Sequence, residues 1–439
     1  MGGLTRRRLI AGAGASAAAI ALPRAALAAK PSGAERPRRG AWLAGDFHSH
    51  TVLSHDVWGG PDDDNTSAQD AYTLGWSAGE QITHAEVRGL DFLAITDHNR
   101  TDALRLPEYR SDKLSLLPGY EHSLWGGHAG VFMPDVASLA DIVKDSDGST
   151  GFQGDAAVAR FLDAVHARGG IAVLNHPFYG NSGQGEAIAW KYGNDVSALF
   201  DAIEVWNIGW PARHDTLPFA DSDNYLSLPW WEKEILGRAR RAAVGGSDSH
   251  WRTTTAIQGV GQPTTWVYAR NRTPRAILDA VRAGRTFVAS EPPALGGARL
   301  LLTARETRRH GRKAMVGGTV APGVPLAVTV EVRNGEGNTL RLISGGQVVA
   351  EQAVTRPQET HTFPLVLPAG GWVRSEIFIN DGYWMTALTS PIFAEGEAAP
   401  GTVAARATSG PAAAYGDTKR RNTQKPIAMR LRRDSGCGC

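Results

Sequence analysis

Between Ala44 and His55 the chain reads A-G-D-F-H-S-H-T-V-L-S-H. The apolar run Ala41-Trp42-Leu43 leads into this stretch and stops at Asp46-Phe47, so a short strand is expected to end there. In an extended chain, residues i and i+2 point to the same side, which brings the imidazoles of His48 and His50 together. At a strand end two such rings can grip one metal ion. An isolated H-x-H pair is better explained as two surface histidines in a loop. The rest of the chain changes that balance, because eleven of its thirteen histidines fall between His48 and His250.

From Trp42 to Ser290 the pattern is a short apolar strand, a polar loop and a helix, repeated. Strands are expected at 90–95, 114–117, 129–133, 171–174, 202–206, 242–244, 264–268 and 286–289. The spacing of Val158, Phe161, Leu162 and Val165 predicts a helix over 156–168, stopped by Gly169-Gly170. Further helices are expected at 231–241 and 274–283. Alternating strands and helices imply a parallel sheet with helices outside, and about seven such units suggest a closed or nearly closed β/α barrel. Most candidate ligands sit at or just beyond the C-terminal end of an apolar strand: Thr96-Asp97-His98, Asn175-His176, and Ser247-Asp248-Ser249-His250. In a parallel barrel those ends converge on one face, so residues two hundred positions apart can share a pocket.

The flanks read differently. Residues 1–28 carry Arg6, Arg7, Arg8 and Arg24 without an acid, an apolar run from Leu9 to Leu22, and the Ala26-Leu27-Ala28 cleavage pattern. This is a twin-arginine-type signal peptide, too short and too weakly apolar to span a bilayer, and it implies export to the periplasm or beyond through the twin-arginine machinery. Residues 29–40 form a Pro/Arg/Gly linker, and 41–292 form the barrel. In 293–395, Leu326, Val328, Val330 and Val332 alternate with polar or small residues, and Ser344-Gly345-Gly346 and Asn380-Asp381-Gly382 signal hairpins, so a small antiparallel β-sandwich is expected. From 396 to 439 a basic Ala/Gly/Pro-rich tail is expected to be disordered. The two ends carry +4 (residues 1–28) and +5 (residues 411–439), which leaves about −7 on the body of a chain whose net charge is +2. A mildly acidic body argues against coating nucleic acid. Cys437 and Cys439 are the only cysteines and lie at the extreme C-terminus, so a metal site in the barrel must use nitrogen and oxygen ligands.

Taken in order, D-F-H-S-H-T, G-L-D-F-L-A-I-T-D-H-N, P-G-Y-E, G-H-A-G-V, N-H-P and G-S-D-S-H resemble the polymerase and histidinol phosphatase (PHP) superfamily of metal-dependent hydrolases. More narrowly they are similar to its carbaryl-hydrolase-like branch, whose members often carry an extra β domain. The resemblance covers about residues 41–290. It implies a distorted (β/α)7 barrel of PHP type, here followed by the β-sandwich, and a site of two or three divalent ions (Zn, Mn or Fe). Carried over motif by motif, it implies His48, His50, Glu121 and Asp248 around one ion. It implies His98, His250 and the residue after Leu53-Ser54 around a second. Glu121, as a bridge, with His128 and His176 would hold a third. Glu121, Asp248 and His250 then stand at the reaction. The branch has Ser-Asp-Gly after H-x-H-T, whereas this chain has Ser54-His55-Asp56-Val57, so His55 is taken as the ligand with Asp56 as the alternative.

Imidazole and carboxylate ligands without thiolate suit such ions. A divalent ion lowers the pKa of bound water from ~15.7 to about 7, and paired ions can clamp the attacking and leaving oxygens of a displacement. Hydrolysis of a small-molecule phosphate ester is the natural use. Hydrolysis of an aryl ester, carbamate or amide needs the same equipment, and an inactive metal- or polymer-binding module is the remaining alternative. Arg252, Trp251 and Trp206 are candidates for substrate contact, with Trp58, Trp125, Trp210, Trp230 and Trp231 as further aromatic candidates near the mouth. Arg252 is better explained as a solvated loop arginine, and core packing accounts for at least half of the tryptophans. Asp97 is either a ligand-orienting or a turn-capping carboxylate. His122 and His214 are candidate leaving-group acids, His84 and His166 are non-ligands, and Asp62-Asp63-Asp64 is a calcium-site candidate more often seen as a solvated acidic loop.

Overall fold

The fold was analysed in a computed structural model that describes residues 40–54, 75–124, 126–144, 152–178, 189–208, 223–250, 259–379 and 385–396. The leader and most of the linker, His55, Asp56, Trp58, Asp62 to Asp64, Trp125, Trp210, His214, Trp251, Arg252, the 380–382 turn and all but the first residue of the tail lie outside the described residues.

Among the described residues, nine strands and six α-helices build the first part: β1 (Ala41–Asp46), α1 (Ala78–Val87), β2 (Phe92–Ile95), β3 (Ser115–Leu124), β4 (Gly127–Phe132), α2 (Val136–Lys144), α3 (Asp155–Ala167), β5 (Ile171–Asn175), α4 (Asn194–Ser197), β6 (Ala202–Asn207), α5 (Asp223–Trp230), β7 (Ala242–Gly246), β8 (Thr264–Ala269), α6 (Pro274–Arg282) and β9 (Thr286–Ala289). The local causes are ordinary. Ser77 caps α1 and Glu80 reaches back to the Ser77 N–H, completing a capping box. Thr273 caps α6 with Pro274 in its first turn. The helix expected at 231–241 begins earlier, at Asp223, and ends in one wide turn over Trp231–Ile235, closed by the Leu236 N–H on the Trp231 carbonyl at 2.9 Å.

Two features set the sheet apart from a closed or nearly closed barrel of parallel strands. First, its directions are mixed. β1–β2, β2–β3, β5–β6 and β6–β7 pair in parallel, but β3–β4, β4–β5, β1–β8 and β8–β9 pair antiparallel. β3 runs straight through Pro118-Gly119, where the sequence suggests an end, because it changes partner there: residues 115–118 pair with β2 and 119–124 with β4. Second, no strand ladder among the described residues joins β7 back to the start. Hydroxyls satisfy its edge instead. Thr265 Oγ1 bonds both Gly245 N (2.8 Å) and Gly245 O (2.7 Å), Thr286 Oγ1 donates to Ala243 O (2.7 Å), and Ala243 N donates to Ser390 Oγ (2.9 Å). The inner faces still converge. Leu43, Phe92, Leu117, Phe132, Val173, Ala202, Val244 and Val267 form one buried cluster, with Ile277, Leu278 and Val281 of α6 against it.

Ten more strands follow: β10 (Arg299–Glu306), β11 (Lys313–Met315), β12 (Thr319–Val320), β13 (Pro325–Arg333), β14 (Asn338–Ser344), β15 (Gln347–Ala353), β16 (Gln358–Val366), β17 (Trp372–Ile379), β18 (Met385–Thr389) and β19 (Ile392–Ala394). Leu326, Val328, Val330 and Val332 of β13 are buried as their alternation predicts. β11-β10-β13-β16 is a second sheet, antiparallel throughout, whose apolar face shares a core with Leu340, Leu342, Val373, Ile377 and Ala387. The boundary expected at 292–293 falls inside one compact unit running from Gly40. β18 pairs antiparallel with β9, so both halves of the chain share a single fifteen-stranded sheet. No described helix is long and apolar enough to cross a membrane.

Candidate metal centre

Beyond Asp46 the chain bends at Phe47 and meets the segment after β7 in a single parallel bridge, Ser49 to Ser249. Asp248 N donates to His48 O, and His50 N to Ser249 O, each at 2.9 Å. These two bonds set the H-x-H of one end of the sequence against the D-S-H of the other. Four ligand atoms meet there. His48 Nε2 lies 3.1 Å from His50 Nε2, 3.2 Å from Glu121 Oε2 and 3.2 Å from Asp248 Oδ1. His50 Nε2 lies 3.3 Å from Glu121 Oε2 and 3.2 Å from Asp248 Oδ1. A tetrahedral ion with bonds of about 2.0–2.1 Å has ligand–ligand edges of ~3.3–3.4 Å. The four atoms therefore already stand close to the corners of such a site.

Glu121 reaches two groups at once. Its Oε2 faces His48, His50 and, at 3.1 Å, His98 Nδ1; its Oε1 faces His176 Nε2 at 3.1 Å and His128 Nδ1 at 3.2 Å. Oε2 is fully buried yet makes no hydrogen bond. A buried carboxylate oxygen ordinarily has a donor, and this one faces convergent ring nitrogens instead, as an atom shared with co-ligands does. Three further groupings with ligand atoms within 4.8 Å of one another overlap this set: His50-His98-His250, His98-Glu121-His128 and His48-His176-Glu204. Imidazole and carboxylate, converging and with no lysine or arginine paired to them among the described residues, fit divalent ions.

The electrostatics agree. Burial opposes charge on every member, but Asp248, Glu121 and Glu204 together raise His48 well above the ordinary imidazole range. Burial is likewise outweighed at His50, which Asp248 and Glu121 push up to about 10. In return His48, His98 and His128 hold Glu121, and His48, His250 and His50 hold Asp248, well below the usual carboxylate range against burial. A divalent cation held there would neutralise the same carboxylates. Asp248 and His176 adopt positive φ, 48° and 24°, conformations that non-glycine residues take at a cost.

Of the residues singled out from sequence, His48, His50, His98, Glu121, His128, His176, Asp248 and His250 are gathered in this one cluster. His55, Trp251 and Arg252 lie outside the described residues. Trp206 is corrected: its side chain is 1% exposed in the apolar core with Trp231 and Leu228, not at a pocket mouth. A register shift between Glu204 and Trp206 is the cause, sending Asn207 rather than Trp206 toward the cluster. Trp231 is fully buried as well. Asp97 accepts from Thr51 N (2.6 Å) and Thr51 Oγ1 (2.8 Å), one on each oxygen, which fixes the turn after His50. His122 stacks on Phe161 and lies 3.3 Å from Tyr120 Oη, and burial drives its pKa down to about 3. His84 accepts from Arg88 Nε, and His166 bonds Asp201, both away from the cluster.

Three contributors escaped the sequence reading. Asn175 Nδ2 donates to Glu121 Oε1 at 2.9 Å. Glu204, 2% exposed, lies 3.0 Å from His48 Nδ1, and Asn207 bridges Glu204 and Asp248. The available signal was a glutamate in the apolar strand A-I-E-V-W, since an ionisable residue is rarely buried without a partner.

No family model and no curated protein matches the chain. Among solved structures it is similar to a two-domain protein from Bacteroides vulgatus described as containing a predicted PHP-like metal-dependent phosphoesterase, at 16% identity and a TM-score of 0.42, covering 82% of this chain and all of that one. It is also similar to an amidohydrolase from Chromobacterium violaceum with bound sulfate and no metal, at 18% identity and a TM-score of 0.29, over 48% of this chain and 88% of that one. At these levels the side chains of the centre must decide the chemistry.

Proposed function

We propose that the chain is a metal-dependent hydrolase of PHP type, in the carbaryl-hydrolase-like branch, that cleaves a small-molecule phosphate ester after export by the twin-arginine route. The supporting observation is the Glu121 carboxylate, buried and without a hydrogen bond at Oε2, with ring nitrogens at 3.1–3.3 Å from each of its two oxygens. That arrangement suits a carboxylate bridging neighbouring ions. His48, His50, Glu121 and Asp248 would hold one ion; His98 and His250, with His55 or Asp56, a second; Glu121, His128 and His176 a third. Zn, Mn or Fe fits these donors. Bound there, the ions supply Lewis acidity and a water acidified to near neutrality.

The chain's own residues do the positioning. Asn175 steadies Glu121 Oε1. His250 Nδ1 donates to the Asp248 carbonyl at 2.7 Å, which fixes the tautomer and leaves Nε2 with the lone pair. Asp248, His128 and His250 keep side-chain exposures of 10–12%, whereas His48, His50 and Glu121 are at 0–1%, so substrate approaches past the former. The test is elemental analysis of the folded mature protein, then a panel of nitrophenyl phosphate, nitrophenyl phosphodiesters and nitrophenyl acetate with Zn or Mn. Cleavage of the phosphates and not the acetate is expected. The opposite preference would replace the phosphoesterase by a carboxyl-ester or carbamate hydrolase, and bound metal with no turnover would favour a binding module.

A further inference from the structure

Glu204 is absent from the ligand set that the motifs imply, yet it contacts two members of the cluster and, through Asn207, a third. Its Oε1 lies 3.0 Å from His48 Nδ1, the ring nitrogen turned away from the convergence point. Its Oε2 accepts from His176 N at 2.9 Å and from Asn207 Nδ2 at 3.1 Å. The same Asn207 amide donates to Asp248 Oδ2 at 3.2 Å. Asn207 is itself clamped by α5, with Asn207 N donating to Asn224 Oδ1 at 2.7 Å and Asn224 Nδ2 donating to Asn207 O at 2.8 Å. We propose that Glu204, with Asn207, is the positioning group of the centre, a buried carboxylate that holds three cluster members in ligating geometry without facing the ion itself. The inference rests on the metal-hydrolase reading and deepens it.

The chemistry of each contact supports the assignment. A carboxylate on Nδ1 selects the tautomer that carries the proton there, so Nε2 offers its lone pair toward His50, Glu121 and Asp248. It also makes that lone pair more basic. At His50 the corresponding nitrogen, Nδ1, meets a hydroxyl instead, Ser54 Oγ at 3.1 Å. At His176 the contact is to the backbone. The left-handed φ of 24° there points the ring at Glu121, and the bond from His176 N to Glu204 helps hold that conformation. At Asp248 the Asn207 amide occupies Oδ2, leaving Oδ1 to face His48 and His50. The packing around Gly246 leaves no freedom to rearrange: a Cβ there would lie 2.3 Å from Glu204 Oε1 and 2.4 Å from His48 Cβ.

Glu204→Gln tests this. A glutamine keeps the volume, but its amide cannot accept from His48 Nδ1, His176 N and Asn207 Nδ2 together. The affinity for Zn and for Mn, measured by competition with a chromophoric chelator on folded full-length mature protein, should fall roughly ten- to hundredfold. Asn207→Ala, which removes only the Asp248 arm, should give a smaller loss of the same sign. Glu204→Gln combined with Asn207→Ala should lose less than the product of the two, because the Glu204–Asn207–Asp248 arm is common to both. Asp201→Asn is the control, since Asp201 precedes β6 at its opposite end; its melting temperature should drop with metal affinity unchanged. A Glu204→Gln protein that melts lower but binds metal as tightly as the parent overturns the proposal, reducing Glu204 to a packing role. If that variant does not fold, Asn207→Ala decides by the same criterion. A parent protein that takes up no divalent metal would remove the hydrolase reading and this one together, whereas normal parent binding with unchanged variants removes this one alone.

Discussion

Two regions of this molecule bury charge, and they do so in opposite ways. In the C-terminal half Arg374, 1% exposed, sits between Glu232 of the wide turn and Glu376 of β17, paired to both. Glu306 is likewise buried against Arg308 at 2.7 Å and Arg312 at 3.1 Å. There every carboxylate has a guanidinium, a cation that never gives up its charge. In the metal centre Glu121, Asp248 and Glu204 have no arginine or lysine in any described ion pair, only imidazoles. An imidazole can release its proton and become a ligand; a guanidinium cannot. The comparison teaches how to separate structural from functional buried charge: by whether the compensating cation can leave.

Asp248→Asn tests the difference hardest. Turnover should fall about a thousandfold or more, ~4 kcal/mol in barrier terms, while the metal-free melting temperature stays near the parent's. An unchanged rate would sink the assignment of the centre. Arg374→Met should do the reverse. Stranding Glu232 and Glu376 without their cation should cost about 3 kcal/mol or more in urea unfolding, while the folded fraction keeps its full metal content. A loss of metal in that variant would mean the two regions are one unit. Adding Zn at about a hundredfold above its dissociation constant should stabilise the chelated protein by ~2.7 kcal/mol. The same addition to a Glu121→Gln variant should do far less, and equal shifts would place the metal elsewhere.

The smallest effect concerns a third carboxylate. Burial would raise Asp201, but the His166 ring, the Ala172 N–H and Arg282 hold it below its ordinary value. A depressed folded pKa gives stability that is present above the unfolded value of about 3.9 and lost as pH falls through the folded one. Asp201→Asn should therefore cost on the order of 1 kcal/mol at pH 7, with the gap to the parent closing below about pH 4. A gap that persists in acid would assign the effect to packing.

Much of the centre was legible because most of the motifs follow an apolar strand, and the end of a strand is a local property; Glu121, inside β3, and His128, at the start of β4, are the exceptions. Period-two alternation marked the buried face of β13, and Ser344-Gly345-Gly346 marked the turn between β14 and β15. Illegible were the partner change of β3 at Pro118-Gly119, the antiparallel pairing of β1 with β8, and the junction of β18 with β9. Pairing depends on contacts distant in sequence, and no local period records which edge a strand meets. Trp206 fails for a related reason, since a one-residue register shift sends a side chain to the other face.

By itself the sequence determined which residue types were available and where the backbone would turn: imidazoles and carboxylates at strand ends, and no thiolate in the body of the chain. Only the tertiary structure decided that Glu121 stands between two sets of rings, that hydroxyls rather than a neighbouring strand cap β7, and that a glutamate buried in β6 braces the cluster. The physical reason is that a ligand's identity is local, whereas its distance to another ligand is set by every strand packed between them.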